Sequence, residues 1–263
     1  MDNHTLTHNF LIIGGTGGIG LAMIKQLLQH NPIAAEAGVQ IFATYHNRKP
    51  SLQADNIHWL PMDVTDEASI AAAIADIQAQ TAQLNWVINA VGLLHTATEG
   101  PEKSIRQLEP EYFMQNMAVN ALPSLLIAKH IKPLLKPAAA TKTATATTDV
   151  PATIYATVSA RVGSITDNRV GGWYSYRMSK AALNMGMKTL SIEWARTLKQ
   201  VCVVVLQPGT VDTELSKPFQ GNVPEDKLFT VEYSAEKLLS VLADMSAEQT
   251  GSFVDWSGAA IPW

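Results

Sequence analysis

The stretch from Phe10 to Gly20 reads Phe-Leu-Ile-Ile-Gly-Gly-Thr-Gly-Gly-Ile-Gly, and it decides the fold. Its leading apolar residues predict a buried strand, its glycines a tight turn, and the apolar spacing from Leu21 to Leu28 a helix. A helix N-terminus offers unpaired N–H groups to an anion, and glycines let a phosphate approach the backbone. The unit therefore predicts a seat for a dinucleotide. The missing Gly-Lys-Ser/Thr ending argues against a nucleoside-triphosphate loop.

Apolar strands and helical patterns alternate along the rest of the chain. The predicted strands cover 10–13, 39–44, 57–60, 85–90, 153–158, 201–206 and 251–254, and the predicted helices cover 19–30, 66–81, 110–132, 174–198 and 233–246. Parallel neighbours need right-handed crossovers, which place helices on both faces of the sheet. We therefore expect an α/β fold, a single-domain, doubly wound, Rossmann-like parallel sheet of about seven strands over residues 1–263.

Two segments depart from this alternation. The stretch from Asn47 to Gln53 is short and broken by Pro50, so the helix after the second strand is expected to be absent or one turn long. Residues 137–152 are rich in alanine and threonine and have little to bury, which predicts a mobile surface insertion before the fifth strand.

The bulk composition excludes several function classes. Of the 263 residues 47% are hydrophobic and 16% charged, and the net charge of -4 gives no basic field for nucleic acid or anionic lipid. No apolar run is long enough to cross a bilayer, and no signal-peptide pattern precedes Phe10. The single cysteine, Cys202, is predicted to lie buried in a strand, which suits a reducing cytoplasm. The histidines lack metal-ligand spacing, so we expect no catalytic metal.

Tyr176 and Lys180 lie four residues apart in a predicted helix, which places both on one face. A free phenol titrates near pH 10, and an adjacent ammonium is expected to lower that pKa toward the working range. The pair therefore indicates an acid/base unit. Tyr174 lacks such a partner because Met178 lies four residues after it.

With these motifs the chain resembles the short-chain dehydrogenase/reductase family over nearly its whole length. Further matches occur in family order: Asp63-Val64, Asn89-Ala90-Val91-Gly92, Asn120 and the run from Pro208 to Thr213. The wording around Tyr176, with the ending Ile261-Pro262-Trp263, is similar to the C-factor and sniffer-type carbonyl reductase subgroup. The resemblance implies a homodimer or homotetramer and a flexible lid at 215–228.

The resemblance also implies the cofactor site. Its residues would be Gly14, Thr16, Gly18, Ile19, Gly20, Tyr45, His46, Arg48, Asp63, Val64, Asn89, Ala90, Gly92, Tyr176, Lys180, Pro208, Gly209, Val211 and Thr213. Tyr45 stands where relatives that prefer NAD have an aspartate, and His46 and Arg48 offer donors to a 2′-phosphate, so NADP(H) is expected. Alternatively Arg48 is a solvated loop charge, and Asn89 only ties strand ends together.

The implied catalytic residues are Tyr176, Lys180, Asn120 and Ser164. Tyr176 would exchange a proton with the substrate oxygen, Lys180 would hold the nicotinamide ribose, and Asn120 would hold a water in a proton path or bond only locally. The position of the family's usual serine, three residues before Gly163, is Ala160 here. We expect Ser164 to replace it, because strand alternation turns Ser159 to the opposite face.

The sequence leaves competing functions open. The first is an NADP-dependent oxidoreductase that acts on a small or medium carbonyl or alcohol. The second is a cofactor-binding signalling or regulatory protein, which the C-factor resemblance and Ala160 favour. A sugar-nucleotide epimerase ranks last, because the chain lacks the longer C-terminal substrate domain of those enzymes.

Overall fold

A computed structural model describes residues 7–33, 35–135 and 152–263. The predicted insertion at 137–152 lies outside the described residues except for Ala152. Within the described ranges, seven strands form one parallel sheet: β1 (Thr7–Ile13), β2 (Gly38–Tyr45), β3 (Ile57–Pro61), β4 (Trp86–Asn89), β5 (Thr153–Val158), β6 (Val201–Gln207) and β9 (Ser252–Asp255). The strands β7 (Thr210–Val211) and β8 (Leu228–Phe229) pair separately.

The order of the large sheet is β3-β2-β1-β4-β5-β6-β9, so the connections reverse direction between β1 and β4. Ligands of such sheets bind outside the carboxyl ends of the strands at this reversal. Register pairs Phe10 with Ile41 on one side and with Trp86 on the other. The expected doubly wound α/β fold is confirmed.

Helices cover both faces of the sheet. They are α1 (Gly18–Gln29), α2 (Glu67–Gln78), α3 (Pro110–Asn116), α4 (Leu122–Ile131), α5 (Tyr174–Thr197) and α6 (Val231–Ala243). The apolar residues of α1 and α6 pack in one core cluster, and those of α2, α4 and α5 in the other. All six residues of β5 are buried, because a central parallel strand is covered on both sides.

The predicted helix at 110–132 is divided in the structure. A turn of π-helix at Met117–Ala121 separates α3 from α4. Pro123 lies in the first turn of α4 and cannot donate a backbone hydrogen bond to the preceding turn. Residues 46–56, all of them described, form no helix, as the proline-broken sequence predicts.

The turn after β1 requires glycine at Gly20. A methyl group there would collide with the carbonyl oxygen of Gly14 and lie 3.0 Å from its carbonyl carbon. Gly14 itself has a φ of +81°, which favours glycine. Close contact between the start of α1 and the end of β1 thus depends on the absence of a side chain.

Gly20→Ala is therefore expected to lower the free energy of unfolding by roughly 1–3 kcal/mol, the usual cost of overpacking against backbone. This reverses the gain that alanine brings to an ordinary helix interior. Gly100→Ala is the matched control, since a methyl group there meets nothing within 4 Å. Urea denaturation of the two variants checks this, and equal stabilities would show that the turn tolerates a side chain.

Candidate active site

The catalytic pair predicted from the sequence lies on one face of α5. Lys180 Nζ is 5.7 Å from the centre of the Tyr176 ring and donates a hydrogen bond of 3.1 Å to the carbonyl of Val158, at the end of β5. Both side chains are buried, and no protein group accepts or donates a hydrogen bond at the Tyr176 hydroxyl within the described residues. The phenol is held in place by packing and keeps its hydroxyl free.

The expected lowering of the Tyr176 pKa by Lys180 is wrong for this structure. Burial raises the pKa of Tyr176 above its ordinary value, since the phenolate would lose its hydration, and the nearby Tyr112 adds to the rise. Burial also lowers the pKa of Lys180 to about 8, which weakens the cation meant to stabilise the phenolate. At neutral pH Tyr176 is therefore a neutral phenol, the form that can donate a proton.

Asn120 lies in the π-helical turn and connects three elements. Its Oδ1 accepts from Leu93 N at 2.7 Å, and its Nδ2 donates to Leu93 O at 2.8 Å and to Ser179 Oγ at 3.0 Å. These bonds tie Asn120 to the loop after β4 and to α5, and its water-holding role stays a prediction. A methyl group on Gly92 would lie 3.6 Å from Lys180 Nζ and 3.7 Å from Asn120 Oδ1, so both polar atoms adjoin Gly92.

The structure separates the serines near Ala160. Ser159 Oγ donates to Asn184 Oδ1 at 2.7 Å, so its hydroxyl is used in packing against α5. The Ser164 Oγ accepts from the backbone N–H of Asp167 at 3.1 Å, which leaves its own hydrogen available to an acceptor. No hydrogen bond joins Ser164 to Tyr176 within the described chain, and its catalytic role stays a prediction.

The N-terminus of α1 fits a pyrophosphate. Its N-cap residue, Gly17, makes no side-chain cap, and the first turn of the helix has no acidic residue. By contrast, Asp66 caps α2 and Thr230 caps α6. The first N–H groups of α1 therefore have no acceptor from a capping side chain. They remain available to bind an anion.

Two of the segments that contain predicted cofactor residues lie against this turn. A methyl group on Gly14 would lie 2.9 Å from Val91 Cγ2, and one on Gly18 would lie 2.8 Å from Thr213 Cγ2. All the predicted site residues outside the helices follow or end a strand at its carboxyl end. The glycine turn thus lies against both the segment after β4 and the segment after β6.

The end of β2 carries the residues expected to choose the cofactor. His46 Nε2 lies 3.5 Å from Asp63 Oδ2, and both side chains are partly exposed. Hydrogen bonds from the Thr65 side chain and backbone lower the pKa of Asp63. Arg48 is exposed, Tyr45 is half-buried, and no acidic residue lies between Tyr45 and Arg48.

Asn89 shows the structural use that the sequence left open. Its Nδ2 donates to Ser124 Oγ at 2.9 Å, and its Oδ1 accepts from Val91 N at 3.1 Å. The carbonyl of Pro208 accepts from Ser234 Oγ at 2.8 Å, which fixes the turn that Gly209 makes with a φ of +83°. A ribose contact by Asn89 remains a prediction.

Sequence reasoning missed the polar residues Ser179 and Glu102 near this pair. Ser179 receives the Asn120 amide and donates to the carbonyl of Tyr176 at 2.8 Å. The carboxylate of Glu102 is buried against the start of α5. Trp173 contacts the rings of Tyr176 and Phe219, with centroids 6.2 and 5.3 Å apart. Only tertiary structure brings these residues together, and no local sequence motif marks Glu102.

The sequence matches the short chain dehydrogenase family over residues 8–223. This chain belongs to that family. It is therefore an oxidoreductase by membership. Among relatives, it is 28% identical to 1-hydroxy-2-glutathionyl-2-methyl-3-butene dehydrogenase of Rhodococcus sp. strain AD45, over 96% of this chain and 98% of the relative. It is 30% identical to the C-signal protein of Myxococcus xanthus, over 57% of this chain and 77% of that protein.

Solved structures of other short-chain dehydrogenases agree with the fold. An NADPH-bound carbonyl reductase from chicken fatty liver matches with a TM-score of 0.80 and 27% identity, covering 99% of this chain and 97% of that one. The carbonyl reductase Sniffer of D. melanogaster matches with a TM-score of 0.80 and 26% identity, covering 98% and 100%. The expected resemblance to the C-factor and sniffer-type subgroup is confirmed.

The described residues lack two features that would point to other functions. They contain no helix long and apolar enough to span a bilayer. They also contain no cluster of three or more histidine, cysteine, aspartate or glutamate side chains that could hold a metal ion.

The low pKa of Lys180 gives a pH-dependent stability. Below pH 8 the folded cofactor-free protein holds a buried ammonium, whereas the unfolded chain keeps its lysine charged up to about pH 10.4. The folded state thus binds fewer protons between these values, and its stability rises with pH across that window. The substitution Lys180→Met removes this contribution of Lys180 to the pH dependence of stability.

The stability of Lys180→Met relative to the unchanged protein is therefore expected to fall by about 2 kcal/mol between pH 7 and pH 10. Urea denaturation of both proteins without cofactor measures this difference. A difference that stays constant over this range would contradict the burial of a charged Lys180.

Proposed function

We propose that this short-chain dehydrogenase is an NADP-dependent oxidoreductase that reduces a small or medium carbonyl or oxidises the matching alcohol. The observation that carries the proposal is the buried, neutral Tyr176 phenol beside Lys180, whose hydroxyl has no hydrogen-bond partner among the described residues. A donor without a protein acceptor is suited to a substrate oxygen. Outside α5, the residues that the family resemblance assigns to the cofactor lie at the same edge of the sheet as Lys180, at or after the carboxyl ends of strands or in the first turn of α1.

In the reducing direction the Tyr176 hydroxyl donates its proton to the carbonyl oxygen of the substrate. A bound NADPH would supply the hydride to the carbonyl carbon, and the product is the alcohol. Lys180 holds its ammonium between Val158 O and the space beside Gly92, where it would bind the nicotinamide ribose. Asn120 fixes the Leu93 backbone and Ser179, and thereby the wall next to Lys180.

The proposed cofactor preference rests on the end of β2. The end of β2 carries no acidic side chain between Tyr45 and Arg48 that would repel a 2′-phosphate, and His46 and Arg48 are exposed donors. His46 lies against Asp63, which would hold the imidazole beside the adenosine end. The NADPH bound in the chicken carbonyl reductase, which matches with a TM-score of 0.80, supports this preference.

A second candidate function is a cofactor-binding signalling protein with little or no turnover. Ala160 favours it, because the usual serine donor to the substrate oxygen is missing, and loss of one such donor costs roughly 10²–10³-fold in other enzymes. Similarity to the C-signal protein also favours it. The Ser164 hydroxyl hydrogen is the donor proposed to compensate.

We also propose that the protein is a homodimer or homotetramer in the cytoplasm. An apolar face runs along α3, α4 and α5, with large exposed fractions on Met114, Leu122, Leu125, Met178, Met185 and Ile192. Exposed apolar surface of this kind is typical of subunit interfaces. The free, buried Cys202 is compatible with a reducing compartment.

Tyr176→Phe is expected to lower kcat for carbonyl reduction by roughly 10²–10⁴-fold, because the substrate oxygen loses its proton donor. Tyr174→Phe is the matched control, since this neighbour lies in the same turn of α5 without a lysine four residues on. NADPH oxidation against a panel of carbonyls measures both, and NADPH is expected to outperform NADH by roughly tenfold in kcat/KM.

Tight NADPH binding with no turnover in the unchanged protein would support the signalling function instead. Turnover that survives Tyr176→Phe would contradict the role of the phenol. A preference for NADH would overturn the cofactor assignment alone.

A further inference from the structure

Helix α5, which carries Tyr176, begins without a cap of its own. Its N-cap residue is Trp173, whose side chain makes no capping hydrogen bond, and its first turn contains no acidic residue. Trp173 also has a φ of +53°, a left-handed conformation that bulky residues rarely adopt. The start of the helix therefore needs an acceptor from elsewhere in the chain.

Glu102 supplies that acceptor from 73 residues earlier in the sequence. Its Oε2 accepts from the backbone N–H of Ser175 at 3.1 Å, its Oε1 accepts from the Ser175 hydroxyl, and its backbone carbonyl accepts from Trp173 N. Glu102 is 2% exposed. Among the described residues it forms no ion pair with a basic side chain, so the positive end of the helix dipole and these bonds stabilise its charge.

Hydrogen bonds within the chain also hold the segment around Glu102. Lys103 N and Ser104 N donate to Gln107 Oε1 at 2.8 and 3.2 Å, and the Ser104 side chain accepts from Arg106 N. Upstream, the same loop begins at Leu93, whose N–H and carbonyl are held by Asn120. One loop therefore joins the Asn120 turn to the first turn of α5.

From these contacts we infer that Glu102 is the positioning residue for Tyr176, an N-terminal cap for α5 that sets the place of the phenol relative to Lys180. Tyr176 directly follows Ser175, the residue that the carboxylate binds. Any loosening of this turn moves the phenol, while Lys180, one turn further on, remains held by Val158 O. The inference rests on the proposed function for its kinetic effect.

The test compares Glu102→Ala, Glu102→Gln and the control Glu99→Ala, which changes an exposed carboxylate of the same loop. Misplacing a reacting group by about 1 Å costs up to roughly 100-fold. We expect kcat to fall roughly 10- to 100-fold in Glu102→Ala and less in Glu102→Gln, which keeps an acceptor. The KM and the NADPH dissociation constant should stay within about twofold, and Glu99→Ala should match the unchanged protein.

Amide hydrogen exchange provides a readout that does not depend on turnover. In Glu102→Ala, exchange should rise at residues 174–178 and stay unchanged in the second half of α5. Ser175→Ala serves if Glu102→Ala fails to fold. It should lower kcat less, and Glu102→Gln combined with Ser175→Ala should cost less than the sum of the two single effects.

Unchanged exchange at the start of α5 would overturn the cap, whatever the activity. Raised exchange with an unchanged kcat would overturn the positioning role. If neither the unchanged protein nor Glu99→Ala turns over any carbonyl, the proposed function fails, and the exchange result alone then decides the inference about Glu102.

Discussion

The contact on which the site depends is the hydrogen bond from the buried Lys180 ammonium to the carbonyl of Val158. It joins α5, near its N-terminus, to the carboxyl end of the central strand β5. The other motifs lie at the same edge of the sheet. Because the helix turns once in 3.6 residues, fixing Lys180 there also fixes Tyr176 on the same face. The burial that orders the pair keeps the phenol protonated and makes the ammonium easier to deprotonate.

Around this contact, the loop after β4 brings the remaining parts together. Asn120 binds it at Leu93, Tyr112 donates to it at Leu94, and Glu102 returns from it to the start of α5. The π-helical turn at Met117–Ala121 gives Asn120 its position, and such turns often occur at functional sites. The backbone geometry of α3 and α4 and the position of α5 are thus coupled through a single loop.

Much of the fold could be predicted from the sequence, because strand burial and helix periodicity are local signals. The strand at 153–158 and the helix beginning at 174 have the predicted bounds there, and the glycine turn required the conformation that its spacing indicated. The sign of the Tyr176 pKa shift could not be predicted. It depends on how deeply tertiary packing buries the phenol, and the i,i+4 spacing carries no information on burial.

The capping of α5 by Glu102 was equally beyond sequence reasoning, since helix caps are usually read from residues next to the helix and this one lies 73 residues away. The Ser159–Asn184 bond also joins residues that are distant in the sequence. The catalytic role of Ser164 stays a prediction. Lys180 and Asn120 could be singled out from motifs, whereas their hydrogen-bond partners could not, because these lie far away in the sequence.

The central claim is that Tyr176 is held as a buried, neutral proton donor. It is tested most directly by carbon-13 NMR of the tyrosine ring Cζ in the cofactor-free protein, with Tyr176→Phe used to assign the signal. The Tyr176 signal is expected to show no titration near pH 10, where an ordinary phenol titrates. A titration midpoint at or below that value would show that Lys180 governs the phenol, and would contradict the account.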